Sequence, residues 1–176
     1  MSDRPAIRPH VAVIGAGRAD EAQCLAAETV GRRLAEGGAV VVCGGLGGVM
    51  EAACRGAKQA GGTTVGILPG LDRSDANDHV DVAVATGLGE ARNAVVVAGA
   101  DAVVAVGGEF GTLSEIALAG KAGIVVVGLG TWELHRPGTD EAVVVVATDP
   151  DEAAVMALEE AARRRASGRG RRRQGR

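Results

Sequence analysis

Seven apolar, largely β-branched runs punctuate the chain: His10 to Ile14, Ala39 to Cys43, Thr63 to Leu68, Asp81 to Ala85, Ala102 to Val106, Ile124 to Val127 and Ala142 to Ala147. Glycines cluster at their ends, and amphipathic stretches follow, so that helices are expected near residues 20–36, 47–60, 89–99, 112–121 and 150–165. A run that is apolar on both faces belongs in a sheet covered on both sides. The alternation of strand and helix predicts an α/β sandwich with a mainly parallel sheet and right-handed crossovers. In such sheets ligands bind beyond the carboxyl ends of the strands, where this chain concentrates its glycines.

With 176 residues, one domain can bury about 70% of its extended-chain surface and needs no covalent staple. Cys24, Cys43 and Cys54 show no paired spacing, so reduced thiols and a cytoplasmic setting are expected. His10, His79 and His135 lie far apart, and no metal site is expected. Neither a secretory leader nor a membrane span is visible in the apolar runs. Charge is uneven: residues 163–176 hold eight arginines and no acid, leaving 11 Lys and Arg against 22 Asp and Glu elsewhere. The expected organisation is an N-terminal extension (1–8), one domain (9–162) and a disordered Arg-rich tail (163–176). Nucleic-acid contact by that tail is disfavoured, because one Phe, one Trp and no Tyr leave little with which to stack bases.

Four segments at expected strand ends carry the chemistry. Gly15-Ala16-Gly17-Arg18-Ala19-Asp20 begins as a dinucleotide turn but places Asp20 where a third glycine belongs, which argues against a full NAD site. Gly15 and Gly17 still permit close backbone approach to a phosphate, with Arg18 as counter-ion; a plain strand-to-helix turn is the alternative. In Gly44-Gly45-Leu46-Gly47-Gly48-Val49-Met50-Glu51 four glycines precede a helix, and peptide N–H groups there can cradle an anion without lysine. Arg92 sits in the first turn of the next helix, where a guanidinium can hold a phosphate, or pair with Glu90 at the surface. Last, Gly107-Gly108-Glu109-Phe110-Gly111-Thr112-Leu113-Ser114-Glu115 puts Thr112 and Glu115 three apart, either a capping box or two side chains facing a ligand.

The order of Gly44 to Met50, of Gly61-Gly62 with Val65 to Pro69, of Arg92, and of Gly107 to Glu115 resembles that in the Rossmann-like proteins once mislabelled lysine decarboxylases. That superfamily holds the Lonely Guy phosphoribohydrolases and the molybdenum-cofactor carrier proteins. The likeness spans roughly residues 8–150. It implies a single-domain Rossmann-like three-layer sandwich with about seven strands and a homodimer or homotetramer, for which Ala94, Val95 and Val97 offer an apolar helix face. Aligned on Gly111-Thr112-Leu113-Ser114-Glu115, the hydrolases' P-G-G-x-G-T-x-x-E places their catalytic Glu at Glu115 and their Arg at Arg92. It also makes Met50, Pro69, Asn93, Gly107, Gly108, Gly111 and Thr112 candidate ligand contacts. This chain has Gly107 for the Pro, Glu109 for a Gly, Asn93 after the Arg and Glu51 after Met50, departures that look more like the carrier branch.

Two functions follow as expectations. One is binding of a phosphorylated, nucleotide-like ligand, the molybdenum cofactor or a nucleotide, with no further cofactor required. The other is hydrolysis of the N-glycosidic bond of a nucleoside 5′-monophosphate, with Arg92 orienting substrate and an ionised Glu115 stabilising an oxocarbenium-like transition state. A helix N-terminus favours the charged carboxylate, which underlies that expectation for Glu115. Glu109 would repel a phosphate if it faced the site.

Overall fold

The structure, a computed structural model, describes the backbone of residues 7–174 and the side chains of residues 7–167. Seven strands form one sheet: β1 (His10–Gly15), β2 (Val40–Cys43), β3 (Thr63–Leu68), β4 (Val82–Ala85), β5 (Ala102–Val106), β6 (Val126–Leu129) and β7 (Val144–Val146). Their order is β4-β3-β2-β1-β5-β6-β7, and every pairing is parallel. Among the described residues the α-helices are α1 (Glu21–Glu36), α2 (Val49–Gln59), α3 (Asn93–Ala98) and α4 (Phe110–Ala122) between strands, and α5 (Pro150–Gln174) after the last one. The expected Rossmann-like three-layer α/β sandwich is therefore the observed fold.

The two-residue period of the strands assigns each core. Val11, Val13, Val41, Val104, Val106 and Val127 pack with α1, α2 and α5, while Ala12, Ile14, Val40, Val42, Val103, Ala105 and Val126 pack with α3 and α4. Burying one such Val side chain is worth roughly 1.5–3 kcal/mol relative to leaving it in water. All three cysteines are unbridged; the Sγ atoms of buried Cys43 and Cys54 touch at 3.4 Å.

Several boundaries differ from expectation. The stretch expected as a helix over 89–99 is a 3-10 turn at Gly89–Arg92 followed by the short α3. Of Ala94, Val95 and Val97, the first two are exposed and Val97 is core, so the three do not form one face. Helix α5 runs on to Gln174, past the expected end near residue 165 and through most of the stretch expected as a disordered tail. Arg163 pairs with Glu159 and Glu160, Arg164 Nη1 donates to the Gly123 carbonyl (2.9 Å), and Arg165 donates to the Ile7 and Arg8 carbonyls and to Asp101. These contacts satisfy guanidinium groups that composition alone would leave to water. Residues 1–6 of the expected extension and residues 175–176 lie outside the described residues. No helix among the described residues is long and apolar enough to cross a membrane.

Candidate functional site

The sheet reverses its winding between β1 and β5, and a cavity of about 390 Å³ opens at the carboxyl ends of the strands beside that point. Gly15 at the end of β1, Gly17 beyond it, Gly44 after β2, and Met50 in the first turn of α2 form part of its wall. Pro69 after β3, Arg92 and Asn93 at the start of α3, and Gly111, Thr112 and Glu115 of α4 complete it. Thus one residue or more from each of the four sequence segments reaches the same space. Arg18 does not: it is exposed and outside the wall. Gly45, Gly47, Gly48, Gly107 and Gly108 also lie off the wall and shape the turns behind it.

Gly48 shows what those turns require. Its φ is +64°, and a Cβ there would meet the Ala16 carbonyl oxygen at 2.3 Å. A glycine alone lets the β1 and β2 turns touch, and this contact brings the two into one wall. Asp20, the departure from a dinucleotide turn, has a structural task. Its carboxylate accepts from the Gln23 N–H at 2.8 Å while the Gln23 side chain accepts from the Asp20 N–H at 3.3 Å, a capping box on α1.

Arg92 is 8% exposed, and its Nε and Nη1 have no hydrogen-bond partner among the described residues. The guanidinium lies against Gly44, whose absent side chain makes the room. Burial draws its pKa below the usual arginine range, and the nearby Glu115 partly offsets this. Arginine keeps its charge even so, and a buried, unpartnered guanidinium fork is a strong attractor for an anion. It makes no ion pair with Glu90, the surface arrangement that its sequence position also allowed.

Thr112 and Glu115 do not form a capping box. Helix α4 starts two residues earlier than expected, with Glu109 at its N-cap position and no side chain capping it. Thr112 (3% exposed) and Glu115 (7%) are instead buried in the cavity wall. Because Glu115 lies a turn inside the helix and is desolvated, its pKa rises from 4.5 to about 7, with Arg92 pulling in the opposite direction. Desolvation thus opposes the helix dipole on which the expectation of an ionised Glu115 rests, and outweighs it. The uncapped first turn of α4 leaves peptide N–H groups free at Gly111 and Thr112, beside the cavity.

Glu90 and Glu109, which the sequence flagged beside Arg92 and in the last glycine turn, line the cavity together with Glu115. Glu109 is solvent-exposed at its rim. Asn77 holds the glycine turn from behind, its N–H donating to the Gly45 carbonyl (2.9 Å) and its Nδ2 to the carbonyls of Gly45 and Leu46 (3.2 and 2.9 Å). The sequence marked the loop Pro69 to Asp78 as long, but nothing local ties Asn77 to a turn 32 residues away. No group of three or more His, Cys, Asp or Glu able to hold a metal ion occurs among the described residues.

A parallel doubly wound sheet with a glycine-walled, arginine-bearing cavity at its carboxyl edge defines a Rossmann-like ligand-binding architecture. The chain belongs to the SLOG cluster4 family, whose model matches residues 8–162. Its fold is similar to that of the molybdenum cofactor binding protein from the phototrophic bacterium Rippkaea orientalis (TM-score 0.80, 36% identity, covering 88% of this chain and 98% of that one). It is similar also to the Moco carrier protein from Chlamydomonas reinhardtii (TM-score 0.78, 38% identity, 89% and 99% covered). An uncharacterised protein of Archaeoglobus fulgidus is 49% identical over 119 residues, 68% of this chain and 78% of that protein.

Proposed function

We propose that this chain binds a phosphorylated, nucleotide-like cofactor in the carboxyl-edge cavity, with the molybdenum cofactor as its cargo, and holds it without cleaving it. The observation that carries this reading is the Arg92 guanidinium, buried beside Gly44 with Nε and Nη1 unpartnered. Buried polar groups in folded proteins almost always have partners, and an anionic group of the ligand supplies the missing one here. The cavity volume, about 390 Å³, lies within the range of small-molecule sites. Arg92 would hold the phosphate, the free N–H groups of Gly111 and Thr112 would add donors, and Glu115 in its protonated form would add no opposing charge. The similarity to proteins whose names give molybdenum cofactor binding supports the choice of cargo.

The test is to mix the protein with cofactor released from a molybdoenzyme, pass it through a sizing column and measure molybdenum in the protein peak. Molybdenum co-eluting with wild type and lost from Arg92→Ala is the expected result. Release of free base from any member of a nucleoside 5′-monophosphate panel, abolished by Glu115→Gln, would replace carrying with turnover.

That second reading, a phosphoribohydrolase, has one specific observation behind it. Glu115 shares the cavity with Arg92 and titrates near neutrality, where a general acid or base is most effective.

A further inference from the structure

The chain has one Phe and one Trp and no Tyr. Phe110 and Trp132 are 22 positions apart in sequence, yet their ring centroids lie 5.8 Å from each other with the planes tilted by 40°. Phe110 is the first residue of α4 and lies between Glu109 and Gly111, both on the cavity wall. Trp132 follows β6, whose Leu129 carbonyl accepts from the Gly107 N–H at 3.0 Å and so ties the two turns together. The Phe110 ring is 79% exposed, an unfavourable setting for the chain's largest apolar ring after Trp132.

Unsatisfied polar atoms mark the same place. Among the described residues, the buried side-chain atoms without a hydrogen-bond partner are Arg92 Nε and Nη1, Thr131 Oγ1 and Trp132 Nε1. All belong to residues at the carboxyl edge of the sheet. Thr131 and Trp132 border a separate hollow of about 70 Å³. The strand order β2-β1-β5-β6 sets the guanidinium at one end of this row and the aromatic pair at the other.

We infer that Phe110 and Trp132 form an aromatic platform for the planar heterocycle of the bound ligand, with the ring at the β5–β6 end and the phosphate at Arg92. The inference rests on the proposed binding function and adds where the ligand's ring lies and which residues meet it. A π-face stacks on an exposed ring irrespective of its substituents, and the free Trp132 indole N–H and Thr131 hydroxyl can meet polar groups on the ring edge.

Because Trp132 is the chain's single Trp, its fluorescence reports on this platform alone. Guanosine 5′-monophosphate, whose guanine shares the aminopyrimidinone ring of pterins, is titrated against ribose 5-phosphate, which lacks a heterocycle, by calorimetry and fluorescence. Saturable quenching by the nucleotide and none by ribose 5-phosphate is expected. Phe110→Ala should weaken nucleotide binding roughly tenfold, within the range for loss of one stacked base, and change ribose 5-phosphate binding by less than about twofold. Trp132→Phe, followed by calorimetry, should retain most of the affinity because it keeps an aromatic face. Nucleotide binding that leaves Trp132 fluorescence unchanged and is indifferent to Phe110→Ala overturns the platform while leaving the binding function intact. If the nucleotide does not bind, the platform falls; if molybdenum also fails to co-elute with the protein, the binding function falls with it.

Discussion

The guanidinium of Arg92 occupies the space where a side chain at Gly44 would begin: a Cβ there would stand 1.8 Å from Nη1. Gly44→Ala is therefore expected to act as a ligand-binding mutation although it adds only a methyl group. Displacing a charged hydrogen-bond donor from an anionic ligand costs about 1.5–3 kcal/mol, or roughly 10- to 100-fold in affinity. Calorimetric titration with a phosphorylated ligand should show Gly44→Ala and Arg92→Ala falling into that range.

Glu115 makes stability depend on pH in a definite direction. Its folded pKa is about 7, against 4.5 for the ordinary carboxyl. Between those values the folded chain binds a proton that the unfolded chain releases, so stability falls as pH rises through the window. The penalty is absent below about pH 4.5 and complete above about pH 7, where it amounts to at most about 3 kcal/mol. Glu115→Gln should raise Tm at pH 8, leave it nearly unchanged at pH 4.5 and flatten the profile between; thermal melts across that range check it. An anionic ligand should bind wild type more tightly below pH 7, and that dependence should disappear in the same variant.

Glu109 lies at the exposed rim of the cavity, where its charge opposes that of a phosphate. Removing it with Glu109→Gln should tighten binding of a phosphorylated ligand by roughly 1 kcal/mol, about fivefold, as expected for a solvent-screened unit charge. The gain should shrink as salt rises. Calorimetry at low and high ionic strength measures both effects.

Helices α1 and α2 meet backbone to backbone. A Cβ at Gly31 would lie 2.0 Å from the Ala53 carbonyl oxygen, and one at Gly56 would lie 1.9 Å from that of Glu28. Alanine is worth about 1 kcal/mol more than glycine inside a helix, but here it must force the helices apart. Gly31→Ala and Gly56→Ala should each destabilise the protein by about 2 kcal/mol net, as overpacking does. Urea denaturation resolves a change of that size.

The strands were legible because a doubly covered parallel sheet requires β-branched residues on both faces; β3 and β5 fall on the expected residues. Edge elements were less so. The run at Ala142 to Ala147 shortens to Val144–Val146 and that at Ile124 to Val127 shifts to Val126–Leu129, since pairing depends on the neighbouring strand. In the site, Arg92 and Glu115, singled out from order and spacing, both reach the cavity wall. The state of Glu115 was not legible, because desolvation is a property of what surrounds a residue. The pairing of Phe110 with Trp132 was equally invisible, since two turns from different strands create it. Thr112 and Glu115 show the limit of local pattern: their spacing suits a cap, and only the early start of α4 at Phe110 removes that option.

The grip of Arg165 on Ile7, Arg8 and Asp101 has a practical consequence. It gathers the segment before β1 and the helix α5 at the amino ends of the strands, a strand's length from the cavity. A substitution at Arg165 therefore loosens the junction between α5 and the start of β1 without touching the ligand's entrance.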